Sequence, residues 1–93
     1  PGIASFPDAV TERGLKHLRE LEGEVAKGNR AVMLYIVQRA DCHTFMPAGE
    51  VDPAYAAGLI HAQAAGVEIM ALACHVDATG IELTTPLEID LGT

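Results

Sequence analysis

A chain of 93 residues with 49% hydrophobic content is sized for a single domain, and that composition excludes intrinsic disorder. Its formal net charge of −7, from 13 acidic against 6 basic residues, opposes a nucleic-acid partner when taken as a whole. No run approaches the ~20 apolar residues of a membrane span, and the start lacks the basic and apolar blocks of a signal peptide, so no membrane partner and a cytoplasmic location are expected.

The two cysteines, Cys42 and Cys74, are too few for a secreted disulfide framework and read as reduced, buried thiols. The chain opens on Pro1-Gly2 in place of Met, which raises the expectation of a segment of something longer. Charge is unevenly placed. All six basic residues, Arg13, Lys16, Arg19, Lys27, Arg30 and Arg39, lie in the first 39 positions beside five acids, a net +1. The remaining 54 positions carry eight acids and neither Lys nor Arg, a net −8. Such polarity permits one binding face and one solvated face.

In chain order, Asp8 to Gly28 reads as an amphipathic helix, because Leu15, Leu18, Leu21 and Val25 recur at three- and four-residue spacings. Thr11, or Asp8 a turn earlier, is placed to cap its start, and Gly28 to follow its end after Lys27. Arg13, Lys16, His17, Glu20 and Glu24 fall on the side opposite the leucines. Ala31 to Val37 is an unbroken apolar run of strand length, expected to be central and covered on both faces. The polar stretch after it, and Met46-Pro47-Ala48-Gly49, read as loop. Asp52-Pro53 announces a second helix, with Asp as cap and Pro at the first helical position; it runs to about Ala65, closes at Gly66, and presents Ala56, Leu59, Ile60 and Ala64 as its apolar side. Val67 to Val76 is a second strand and Ile81 to Leu83 a third, joined by the turn Asp77-Ala78-Thr79-Gly80. The expected architecture is a single α/β domain, helix-strand-helix-strand-strand, whose two helix-linked strands are parallel.

Cys42-His43 and Cys74-His75 lack the paired spacing of zinc ligands, and neighbouring strand residues point to opposite faces, so no metal site is expected. Asp41 reads as a turn residue, Glu68 as a partner for a basic group, His61 as a surface histidine, and Tyr55 and Met33 as core or boundary residues. No glycine-rich phosphate loop or Ser/His/Asp arrangement is visible, and no residue is assigned a catalytic role.

The stretch from Phe6 to Leu21, FPDAVTERGLKHLREL, resembles the signature of the sugar fermentation stimulation protein A (SfsA) family. Arg30-Ala31-Val32, Phe45-x-Pro47-Ala48 with Asp52 and Tyr55, and Gly66-Val67-Glu68-Ile69 resemble it further, in order, over roughly positions 6 to 90. The resemblance implies the C-terminal α/β segment of a two-part protein, a partial restriction-endonuclease-like core. It implies DNA binding without strong sequence preference and a link to regulation of sugar, notably maltose, metabolism. It also places an Asp and a Glu-x-Lys strand just upstream of Phe6-Pro7-Asp8-Ala9. No carboxylate-x-Lys occurs in this chain, so Pro7-Asp8 is read as a decoy for a nuclease motif. On this reading the segment needs no cofactor, and Mg²⁺ belongs to the full-length form.

The candidate phosphate contacts are Arg13, Lys16 and His17, with Arg19 and Arg39 adding charge from the flanks. Two alternatives stand beside DNA binding: a metal-dependent nuclease in the full-length form, and a non-catalytic interaction domain. Missing neighbours along the Ala31–Val37 strand would also favour a homo-oligomer.

Overall fold

Thr11 marks the point where extended backbone becomes helix. It sits at φ −132°, and its hydroxyl accepts the Gly14 N–H at 3.0 Å, satisfying one of the donors a helix start leaves open. Of the two candidate caps Thr11 is the one used, so the helix begins at Glu12, and Asp8, where the amphipathic stretch was expected to start, lies in a bend outside it. The structure, a computed structural model, describes residues 2–38 and 41–92, with the backbone alone at 75, 76 and 81–84.

The elements in order are β1 (Ile3–Phe6), α1 (Glu12–Ala26), β2 (Val32–Val37), β3 (Thr44–Pro47), α2 (Pro53–Ala64), β4 (Glu68–Asp77), β5 (Gly80–Pro86) and β6 (Glu88–Ile89). Gly28 and Gly66 follow the two helices at φ +90° and +106°, the left-handed conformation that ends a helix cheaply only in glycine. Asp52 caps α2 and Pro53 opens it, as the sequence indicates.

The strands form two three-stranded sheets. In one, β2 runs parallel to β4, from Val32 opposite Glu68 to Val37 opposite Ala73, and β5 returns antiparallel on the far side of β4. In the other, β1, β3 and β6 are all parallel, with β3 in the middle. A single core joins both sheets and both helices: Leu18 from α1, Tyr55, Leu59 and Ala62 from α2, Phe45 from β3, and Tyr35, Ala71 and Ala73 from β2 and β4.

The structure corrects the expected order in three places, adding the short strands β1, β3 and β6. Four- and two-residue strands show too little alternation to stand out in sequence. Met46 and Pro47 belong to β3 and not to a loop; Pro47 closes the strand, where its missing N–H interrupts least, and Ala48 N–H resumes the bonding to the Phe6 carbonyl at 2.8 Å. Ala64 is exposed, and Tyr55 and Ala62 are the buried partners of Leu59. Nearly every position of α2 is apolar, so periodicity alone does not orient it.

The largest correction concerns β2. It is an edge strand among the described residues, and Val32, Leu34 and Ile36 on one face are exposed, while Tyr35 on the other is buried. An apolar run reads as covered on both faces whether or not the covering residues belong to the same stretch of chain.

Candidate nucleic-acid interface

Helix α1 is held at its start by a contact between elements. Asp52 is only 4% exposed; one of its carboxylate oxygens accepts the Thr11 N–H at 2.9 Å and the other the Tyr55 N–H at 3.0 Å. One side chain thus caps α2 directly and fixes the capping residue of α1. The backbone donors of Thr11 and then Tyr55 hold this carboxyl below the usual carboxylate range. Beside it, Gly14 lets the Tyr55 ring approach closely: a β-carbon there would stand 3.0 Å from Tyr55 Cε2 and 2.9 Å from Thr11 Cγ2.

Below this joint the aromatic side chains assemble. Tyr35 stacks on Phe45 with centroids 4.2 Å apart, and Phe6 meets Tyr35 and Tyr55 at 5.6 and 5.3 Å. The hydroxyls of Tyr35 and Tyr55 are hydrogen-bonded to each other inside the core. Burial, reinforced by this contact, pushes the Tyr35 phenol far up; burial also pushes Tyr55 up, against the effect of the same hydrogen bond.

With Leu18 fully buried and Leu15, Leu21 and Val25 packed against the core, α1 turns its other side outward. Arg13, Lys16 and His17 are all exposed there, with Arg13 one turn before the adjacent Lys16 and His17. Among the described residues none forms an ion pair with Arg13 or Lys16. Glu20 shares the face, whereas Glu24 is engaged by Lys27 at 3.1 Å and by Asn29 at 3.2 Å. These two partners hold the Glu24 carboxyl low.

Arg19 is exposed but lies around the helix, at a groove shared with Leu15, Glu22, Ala54, Ala57, Gly58 and His61 of the two helices. It does not join the Arg13, Lys16 and His17 group. Arg39 lies outside the described residues, as does the side chain of His75.

The remaining singled-out residues fall as follows. His61 is exposed, and its Nδ1 meets the Glu22 carboxylate at 2.9 Å across the helices. Glu68 is exposed and pairs with a basic group as expected, taking a two-pronged contact from Arg30, with Nη2 to Oε1 at 2.9 Å. Cys42 and Cys74 are free and buried. Tyr55 is core, and Met33 packs against it. Asp41 is exposed beside the Cys42 thiol, 3.9 Å away. Among the described residues no group of three or more His, Cys, Asp or Glu stands together to hold a metal, and no helix is long and apolar enough to cross a membrane.

Sequence reasoning missed the double role of Asp52 and the Tyr35–Tyr55 pair. The Asp-Pro signal marks the cap on α2, but a second donor arriving from 41 positions away leaves no local trace.

Residues 1–80 match the family model described as the sugar fermentation stimulation protein RE domain. The chain is similar to a sugar fermentation stimulation protein homolog of Maricaulis maris, 52% identical over 91 residues, which are 98% of this chain and 39% of that protein. It is similar to the homolog of Brucella ovis, 50% identical over 90 residues, 97% of this chain and 38% of that protein. Among solved structures it resembles Pyrococcus furiosus SfsA in complex with Ca²⁺, with a TM-score of 0.88 and 33% identity over 96% of this chain and 39% of that one. The chain therefore spans about two-fifths of the length of these relatives.

Proposed function

The chain belongs to the sugar fermentation stimulation protein (SfsA) family, and from that premise we propose that it binds DNA, without strong sequence preference, through the outward face of α1. The observation that carries this reading is the pair Arg13 and Lys16, exposed, one turn apart and in no ion pair among the described residues, on a helix whose start is pinned by Asp52. Two such cations, with His17 beside them, suit the non-bridging oxygens of neighbouring phosphates and carry no base-reading geometry. Arg19 and Arg39 add to the field at a distance in this reading. The acidic remainder of the chain keeps the opposite surface solvated and turns the molecule toward the polyanion by one side. A cytoplasmic setting and a role in regulating sugar, notably maltose, metabolism belong to the same proposal.

The finer fold assignment is part of it. The parallel pair β2 and β4, with α2 between them in sequence, is the half of a restriction-endonuclease-like core that supports the reactive half. The test is anisotropy of a short labelled duplex with the chain and with Arg13→Glu/Lys16→Glu, using Arg30→Ala, at the Glu68 pair, as control. The double reversal is expected to weaken binding by at least about tenfold and the control to leave it unchanged. Equal affinities for all three would remove α1 from the interface.

A second reading, metal-dependent DNA cleavage, is favoured by the Ca²⁺ named with the Pyrococcus furiosus relative. This chain's described residues do not fit such an ion, which takes about six to eight oxygen ligands. No acidic group among them is assembled for it, and Asp52 commits both oxygens to backbone donors. Cleavage is accordingly assigned to the longer polypeptide, and it is recognised by Mg²⁺-dependent loss of duplex substrate.

A further inference from the structure

The first turn of α1 is weakly held by its own sequence. Glycine is a poor helix former, and Gly14 stands in that turn beside Arg13. The first backbone bond of the helix, from the Leu15 N–H to the Thr11 carbonyl, is long at 3.3 Å. Two side-chain contacts reinforce it: the Thr11 hydroxyl on the Gly14 N–H, and the Asp52 carboxylate on the Thr11 N–H. Arg13 stands between the two anchored positions, Thr11 and Gly14. Lys16 follows Leu15, which packs against the core, and precedes Leu18, which is fully buried. The core fixes Lys16 even where the start of the helix frays, whereas the Arg13 turn is tied to α2 through Asp52.

Resting on the DNA-binding reading above, we propose that Asp52 is a positioning residue for that surface: through Thr11 it sets the placement of Arg13 toward phosphate and leaves that of Lys16 alone. The two cations then make unequal demands on the fold. Lys16 is presented by buried leucines of its own helix, and Arg13 by a carboxylate on another element, 41 positions from Thr11. Asparagine separates the two jobs of this carboxylate. It caps a helix about as well as aspartate, but it offers one acceptor oxygen where aspartate offers two, the other atom being an amide nitrogen that donates. In Asp52→Asn the oxygen stays with the Tyr55 N–H three residues on, and the Thr11 N–H faces a donor. The change also removes a negative charge, which by itself favours a polyanion, so weaker binding reports position and not charge.

The test is the salt dependence of duplex binding, by anisotropy, at a temperature where each protein is folded. It compares the unmodified chain with Asp52→Asn, Arg13→Ala, Lys16→Ala, and Asp52→Asn combined with each of the other two. Every lost phosphate contact makes the slope of log affinity against log salt shallower by about 0.9. Asp52→Asn and Arg13→Ala should each show that loss, their combination no more than that, and Asp52→Asn/Lys16→Ala about 1.8. A general loss of stability lowers the bound fraction at every salt concentration alike and leaves the slope unchanged. Equal slopes for Asp52→Asn and the unmodified chain would overturn the proposal, as would losses that add when Asp52→Asn and Arg13→Ala are combined. Unchanged affinity and slope in Arg13→Ala would instead contradict the DNA-binding reading, and this proposal with it. Should Asp52→Asn not fold, the unmodified chain carries the test. By reciprocity, duplex binding should slow hydrogen exchange of the Thr11 amide at least about fivefold, and unchanged exchange in the bound chain would overturn the proposal.

Discussion

Asp52 is the residue on which two elements meet, and its chemistry sets a pH dependence. Its folded-state carboxyl is held below the ordinary value of 3.8 by the Thr11 and Tyr55 N–H groups, so the ionised form is the one the fold prefers. A depressed acid contributes stability above its unfolded value and loses it as pH falls through the folded one. Thermal melts from pH 7 to pH 3 should therefore show the midpoint dropping below about pH 4, and Asp52→Asn should melt lower at pH 7 with a flatter acid limb. The tyrosine pair gives a second test. Tyr35→Phe leaves the buried Tyr55 hydroxyl without its partner and should cost about 1–3 kcal/mol, whereas Tyr35→Phe/Tyr55→Phe should cost less than the sum of the two single changes. A denaturant-melt cycle measures the difference. Neither contact is visible as a pattern: Tyr35 sits in an apolar run and Tyr55 in an apolar helix, and only the tertiary arrangement turns them toward each other.

At the scale of elements, α1 was legible because its residues alternate in kind. Leucines on one side and charges on the other specify both a helix and its orientation, and Thr11, Lys27 and Gly28 bracket it. The Asp52-Pro53 start of α2 and the parallel pairing of β2 with β4 were legible for the same reason, a local signal with one physical meaning. The short strands β1, β3 and β6 were not, since each relies on neighbours distant in sequence. Strand β2 has the composition of a central strand and yet lies at an edge among the described residues: composition reports what a face requires, and the structure reports what this stretch of chain supplies. Leu18 anchors α1 and makes its energetics testable. Leu18→Ala should cost about 2–5 kcal/mol through lost burial and the cavity left behind, read from denaturant midpoints at constant slope. Gly14→Ala should destabilise as well, despite the better helix propensity of alanine, because its methyl would press on Tyr55 and on the capping Thr11.

For the whole molecule, a net charge of −7 and an acidic second half oppose binding to a polyanion, so affinity depends on presenting one face. For the proposed DNA binding that face is the outer side of α1, where Arg13 and Lys16 would each contact a separate phosphate. Each phosphate contact contributes about 0.9 to the slope of log affinity against log salt. The most direct measurement is that slope for the unmodified chain and for Arg13→Ala/Lys16→Ala on one duplex from low to physiological salt. The double variant is expected to bind more weakly at every salt concentration, with a slope shallower by about 1.8. Superimposable lines for the two proteins would contradict the proposed interface.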